Sequence, residues 1–319
     1  MVTAGTAVVA ALRDDVDRLL AAEPDVRADA WDSVHQMRVA TRRLRSVLRS
    51  YRTLFEATPI AEMQRELKWL ADLLGVARDA EVRAERFTAL LATHAPQDEF
   101  ARLAMESAVP KAAGSAYVPG TTEYVRTELV DAERDRYRTA HAEVLDALNH
   151  HRYHALRHRL SAWRTNPPID ADKSKQPAAE VFERILRKDH KRLRRLVYAE
   201  PAVSPAERVE LLHDIRKGAK RLRYSCEGAI DVLGDAAKDL GTEAKRLQTV
   251  LGDHRDAVES REAILARAAE THATGVNATI YELLADAEEV AAGEALAKYP
   301  AAAAFVSVIG PPGEDQNGE

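Results

Sequence analysis

Residues 34–45 read VHQMRVATRRLR and residues 212–223 read LHDIRKGAKRLR, and the two align without a gap. His35 matches His213, Arg38 matches Arg216, Arg42 matches Lys220, Leu44 matches Leu222 and Arg45 matches Arg223. A second pair follows. Residues 68–79 read KWLADLLGVARD and residues 245–256 read KRLQTVLGDHRD, matching Lys68 to Lys245, Gly75 to Gly252, Arg78 to Arg255 and Asp79 to Asp256. From histidine to glycine the spacing is 40 residues in the first half and 39 in the second. Two motifs at matched spacing point to one helical unit present twice. Two such copies are expected to pack about a pseudo-twofold axis that brings like faces together.

On a helix of about 100° per residue with His35 at zero, Arg38, Arg42, Arg45, Arg49 and Arg52 fall within roughly 260–340°. Met37, Leu44, Val47, Leu48, Tyr51, Leu54 and Phe55 fall within roughly 100–220°. The helix therefore carries an apolar stripe beside a stripe of arginines, and no acidic residue lies between Ser33 and Phe55. The second copy places Arg216, Lys220 and Arg223 at the same angles, with Lys217 next to Arg216. Glu227 stands where the first copy has Arg49, so the second stripe is shorter and Glu227 is placed to pair with a cation. A charge run is most often a solvated face. Solvated faces, however, mix signs in i,i+4 pairs, and they have no reason to keep the same basic positions in two copies.

The rest of the chain agrees with an all-α protein. Its 319 residues are 46% hydrophobic and 30% charged, with only 5% aromatics, and helix formers dominate. The formal net charge is −5, so an anion site must come from local segregation of cations. The one cysteine, Cys226, permits no internal disulfide and fits a reducing compartment. The N-terminus lacks a basic region and a long apolar run, and Ala301–Ile309 is too short to span a bilayer. A cytoplasmic protein without membrane contact is the expectation.

Periodicity predicts helices at Thr6–Glu23, closed by Pro24, from Asp32 or Ser33 to Phe55, at Ile60–Leu74, stopped by Gly75, and at Arg78–His94. A helix broken by Pro110 and a loop holding Gly114, Pro119 and Gly120 come next. Helices follow at Glu123–Asn149, His151–Trp163, Ala178–Tyr198, Pro205–Leu233, Asp235–Leu251, Asp253–Thr271 and Asn277–Lys298. The stretch 165–177, TNPPIDADKSKQP, has no apolar period and reads as a linker between an N-terminal bundle (6–164) and a C-terminal one (178–300). Residues 309–319 read as a disordered tail.

Arginine presents a planar fork that matches phosphate oxygens. Cations at one-turn spacing suit an extended polyanion, and the scarcity of aromatics on this face disfavours stacked bases. The ligand expected is therefore a chain of phosphates rather than nucleic acid. The binding candidates are His35, Arg38, Arg42, Arg45, Arg49, Lys68, Arg78, His213, Arg216, Lys217, Lys220, Arg223, Lys245 and Arg255. Arg187 and Lys191 join them from the basic helix after the linker, which also carries Arg184, Lys188, Arg194 and Arg195. His35 and His213 begin the two basic helices and read as phosphate donors. Neither has a ligand partner at i+3 or i+4, so no metal is assigned. The cluster His150, His151, His154 and His158 is interleaved with Arg152, Arg157 and Arg159, which disfavours a bound cation there. Asp79 and Asp256 read as helix-start caps or salt-bridge partners rather than a catalytic pair. No nucleotide, hydrolase or zinc motif is present, so no catalytic residue and no cofactor are expected. The alternatives are a nucleic-acid-binding helical protein and a metal-dependent phosphohydrolase using His35 and His213.

The segments HQMRVATRRLR (35–45), LLGVARD (73–79), LHDIRKGAKRLRYSCE (212–227) and LGDHRD (251–256) resemble the CHAD domain, a histidine-containing α-helical family, over about residues 6–300. The resemblance implies two four-helix bundles related by pseudo-twofold symmetry with a basic cleft between them. It also implies binding of inorganic polyphosphate and association with polyphosphate granules. Many family members carry a triphosphatase-like domain with an ExExK strand. This sequence has none, so a stand-alone CHAD protein is expected and hydrolysis is not.

Overall fold

The computed structural model describes residues 2–95 and 119–308. The helix expected to break at Pro110, the loop at Gly114 and the tail at 309–319 lie outside the described residues. Among the described residues the protein is all-α. The extended pairings among these residues are two isolated bridges, Thr3 with Pro177 and Phe55 with Ile169. The helices are α1 (Ala4–Arg27), α2 (Ser33–Ser50), α3 (Ala57–His94), α4 (Thr122–Arg126), α5 (Ala132–Asn149), α6 (His151–Trp163) and α7 (Ala178–Ala199). They continue with α8 (Pro205–Glu227), α9 (Ile230–Leu233), α10 (Asp235–Ala273), α11 (Thr279–Ala297), α12 (Tyr299–Ala303) and α13 (Phe305–Val308).

Several boundaries differ from the sequence reading. Helix α3 runs through Gly75 and α10 runs through Gly252, where stops were expected. A helical glycine costs only about 1 kcal/mol against alanine. Burial of Leu70, Leu74 and Ala77 around Gly75, and of Leu247 and Leu251 before Gly252, outweighs it. Asp79 and Asp256 consequently sit inside long helices and cap nothing. Helix α1 continues past Pro24 to Arg27. A proline removes one N–H from the ladder, but the last turn is still closed by backbone, with Ala28 N donating to Pro24 O at 3.0 Å, and side chains reinforce it. Buried Glu23 accepts from Arg27 Nε at 2.9 Å and from Tyr153 Oη at 2.9 Å. Helix α2 stops at Ser50, and a 3₁₀ turn, Arg52–Leu54, follows. Helix α8 ends at Glu227 and α9 is separate. A π turn, Thr127–Asp131, lies between α4 and α5, where a regular helix was expected.

The described residues form two compact units, each drawing on both halves of the sequence. One contains 2–75, 143–251 and 298–308; the other contains 76–95, 119–142 and 252–297. In the first, α1 packs along α2 and α7 along α8, and α2 also meets α8. Met37, Leu44 and Leu48 of α2, and Ile215, Ala219 and Leu222 of α8, are fully buried. Each large apolar side chain contributes about 1.5–3 kcal/mol as an upper estimate. The 165–177 stretch is docked onto this unit. Ala4 N donates to Gln176 O at 2.8 Å, Asp170 N to Leu54 O at 2.9 Å and Glu56 N to Pro168 O at 2.9 Å. The second unit has its own core, including Phe87, Leu129, Ile264, Tyr281 and Leu284. There Arg86 grips the fully buried carboxylate of Glu288 with two donors.

Candidate functional site

The site is built in the first unit, from α2 and α8. Helix α2 opens at Asp32, whose backbone is left-handed (φ 59°) and whose carboxylate accepts from Gln36 Nε2 at 2.7 Å. Helix α8 opens at Ser204 with a reciprocal capping box to Glu207 and Pro205 in the first turn. His35 therefore lies in a first turn as expected, whereas His213 lies two turns into α8.

Each basic helix is anchored by a buried carboxylate on the helix before it. Asp15 of α1 accepts from Arg43 Nε at 3.2 Å, and Asp189 of α7 pairs with Arg221 Nε at 2.7 Å. Both aspartates are 3% exposed. Arg43 and Arg221 occupy the same position in the repeat. Burial raises the Asp15 carboxyl above its ordinary range, against the opposing pull of Arg43. Asp189 also accepts from Ser225 Oγ at 2.7 Å. Ser225 Oγ lies 2.7 Å from Ser50 Oγ, and Tyr51 Oη donates to the Ser225 carbonyl at 2.8 Å. This buried polar network ties the C-terminal turns of α2 and α8 together, so the two basic faces are held at a fixed separation.

Between them lies a cleft of about 320 Å³. Helix α2 lines it with Arg38, Arg42, Arg45 and Arg49 together with Ser46 and Ser50. Helix α8 supplies Lys217, Lys220 and Arg221, and α3 supplies Ala71 and Asp72. Asp72 is its one carboxylate, and none of these residues is aromatic. Burial, reinforced by neighbouring Arg49, lowers the Arg45 guanidinium from its ordinary value, while Asp72 opposes the shift. Half-desolvated cations crowding one another are stabilised by an anion among them. Gly75 faces this wall. A Cβ there would sit 3.8 Å from the Arg38 guanidinium.

A second cleft, of about 420 Å³, shares Arg49, Ser50 and Arg221 with the first. Arg52, Lys173, Arg184, Lys188 and Asp189 also line it, over an apolar floor that includes Leu54, Val181 and Ile185.

The first cleft thus brings together seven cations from the two copies, and other candidates stand outside both clefts. Arg216 lines neither. Arg223 pairs with Glu227 at 2.8 Å and lies over the Tyr224 ring, and Glu227 also holds Arg43 at 3.0 Å. His35 and His213 are half-buried and line neither cleft. Lys68 reaches Asp72 at 2.5 Å, Arg187 lies 3.8 Å from Glu183, and Lys191 and Lys245 are exposed. In the second unit, Arg78 pairs with Glu81 at 2.7 Å and Arg255 with Glu259 at 2.5 Å. Among the described residues no three His, Cys, Asp or Glu side chains gather as a metal site, and no helix is long and apolar enough to cross a membrane. Sequence reasoning missed Arg221, Lys173 and the two anchoring aspartates. Arg221 had a signal, since its identity with Arg43 stands in the aligned repeat. Lys173 had none, because it lies in a stretch without periodicity.

Comparison with known proteins agrees with this architecture. The CHAD domain family model matches residues 10–265. Two uncharacterised proteins of Mycobacterium tuberculosis, from strains H37Rv and CDC 1551, are 36% and 35% identical over 274 residues. That alignment covers 86% of this chain and 48% of each relative, so the chain spans about half the length of the curated relatives it matches. Among solved structures, PptA from Streptomyces chartreusis superposes with a TM-score of 0.69 at 19% identity, covering 94% of this chain and 99% of that one. The CHAD domain from the plant Ricinus communis superposes with a TM-score of 0.55 at 23% identity, covering 97% and 90%. The fold is shared with both structures, and the family model spans most of the sequence: the chain belongs to the CHAD domain family.

Proposed function

We propose that this chain is a polyphosphate-binding module that clamps an extended phosphate chain in the cleft between α2 and α8. One observation carries the reading. Four arginines of one copy face three cations of the other across about 320 Å³, with a single carboxylate among the lining residues. Guanidinium forks at one-turn spacing pair with successive phosphates, and the buried Asp189 keeps the Arg221 fork in place before the ligand arrives. The cleft offers a strand of bases no ring to stack on, which favours inorganic polyphosphate over single-stranded nucleic acid. Membership of the CHAD family supports the same ligand class. No catalytic residue is assigned: the site neutralises charge and does not cleave. Retention at polyphosphate granules follows from such binding.

Titration calorimetry with long-chain polyphosphate at two salt concentrations tests the reading. Tight binding that weakens steeply with salt, with no orthophosphate released afterwards, is expected, because cations in the cleft displace counterions from the chain. No binding at low salt would overturn it. RNA that displaces polyphosphate at equal phosphate concentration would favour a nucleic-acid ligand instead.

A further inference from the structure

Helix α11 of the second unit buries Tyr281, Leu284, Ala285 and Glu288 on one side and presents the other to solvent. On the solvent side Leu283 is 41% exposed and Val290 is 61% exposed. They stand one heptad apart, so they share a stripe two turns long, with half-buried Ala287 between them. A Cβ at Gly293, in the next turn, would meet no heavy atom within 4 Å, so the surface there is open. A single exposed apolar residue is ordinary. Two at heptad spacing, with small residues beside them, form a seam that accepts the side chains of a second helix.

The charge around this seam has one sign. Helix α11 contains no Lys, Arg or His. Glu282, Asp286, Glu289 and Glu294 are exposed on the same side as Leu283 and Val290. Arg261 of α10 reaches Glu289 at 3.0 Å, and Glu288 is buried against Arg86. A second copy of α11 laid on this face would set carboxylates against carboxylates in either orientation. A helix edged by cations meets complementary charge instead.

We propose that the exposed face of α11 is a docking surface for a basic amphipathic helix of another protein, one whose apolar seam is flanked by Lys or Arg. Leu283 and Val290 supply the apolar contact, and the surrounding carboxylates set charge preference and orientation. The inference is independent of the polyphosphate reading, since α11 belongs to the second unit and both clefts to the first.

The test uses polyphosphate-free protein and a labelled synthetic three-heptad peptide, with Leu at the seam positions and Lys on the flanks, followed by fluorescence anisotropy. A second peptide carries Glu on the flanks. Saturable binding of the Lys peptide that weakens with salt is expected, with none of the Glu peptide. Leu283→Ser/Val290→Ser should weaken binding about tenfold or more, and Glu282→Lys/Asp286→Lys should reverse the preference between the peptides. All four positions are exposed, and a thermal melt verifies that both variants fold. No binding of the Lys peptide at low salt, equal binding of both peptides, or undiminished binding to the Leu283→Ser/Val290→Ser variant would overturn the docking surface. A dimer in sedimentation that this variant dissolves would overturn it too, by making a second copy the occupant.

Discussion

Arg221 lies on both clefts, and what it does depends on a residue no ligand touches. Its guanidinium is 2.7 Å from the buried carboxylate of Asp189, which also accepts from Ser225. Asp189→Ala would leave Arg221 without this counter-charge and take one acceptor from the buried Ser225 hydroxyl. A loss of about 2–3 kcal/mol is expected in chemical denaturation, together with weaker polyphosphate binding, because Arg221 is no longer aimed. Asp189 is not visible as a site residue in the sequence. An acidic residue within the run RKDHKRLRR looks like a charge-balancing surface group, and only packing of α7 on α8 shows that it points inward. Gly75 carries a second expectation at this scale. The nearest atoms to a Cβ there are 3.8 Å away, an ordinary separation, so Gly75→Ala should raise stability by about 0.5–1 kcal/mol through helix propensity. Gly75→Leu should displace the Arg38 guanidinium and weaken polyphosphate binding, as read by calorimetry.

At the scale of the element, α2 joins an apolar stripe to a cationic one with no acid in its own sequence. Self-repulsion along the cationic stripe disfavours the isolated helix, and burial of Met37, Leu44 and Leu48 against neighbouring helices overcomes it. The double variant Arg42→Ala/Arg45→Ala should therefore weaken polyphosphate binding, by about tenfold for each arginine–phosphate hydrogen bond removed. Its melting temperature should stay level or rise as repulsion is relieved. A collapse of the melt would mean that the stripe holds the fold instead. This helix was legible because its period is 3.6 and its two faces differ in chemistry. The long helices were less so. Gly75 and Gly252 read as stops because propensity is a local quantity, whereas the burial that carries α3 and α10 through them is not. Arg78 and Arg255 recur in the two copies as faithfully as Arg38 and Arg216, yet they pair with Glu81 and Glu259 on their own helices. Recurrence marks an equivalent place in the unit and does not by itself assign a ligand contact.

For the whole molecule, the repeat announced two copies, while packing groups the described residues into units that each take segments from both. Arginines and lysines concentrate on α2, α7 and α8 of the first unit. In the second unit Arg86 pairs with Glu288, and Arg83 and Arg136 pair with Glu133. Glu288→Ala would strand Arg86 and is expected to cost about 3–5 kcal/mol. Calorimetry at a temperature where the variant is still folded should find polyphosphate affinity unchanged, since both clefts lie in the other unit. Wild-type protein saturated with polyphosphate should melt higher, because the ligand binds only the folded chain. The single thiol supplies a way to watch this. Cys226 is fully buried, and its Cβ lies 3.0 Å from where a side chain at Gly241 would begin. Burial also pushes its ionisation far above the ordinary thiol range. A thiol that is both hidden and protonated reacts with an alkylating reagent only after the packing around α8 opens. The rate of its modification is thus a stopwatch for opening of the helix that supplies Lys217, Lys220 and Arg221 to the first cleft, and bound polyphosphate should slow that clock without any label being introduced.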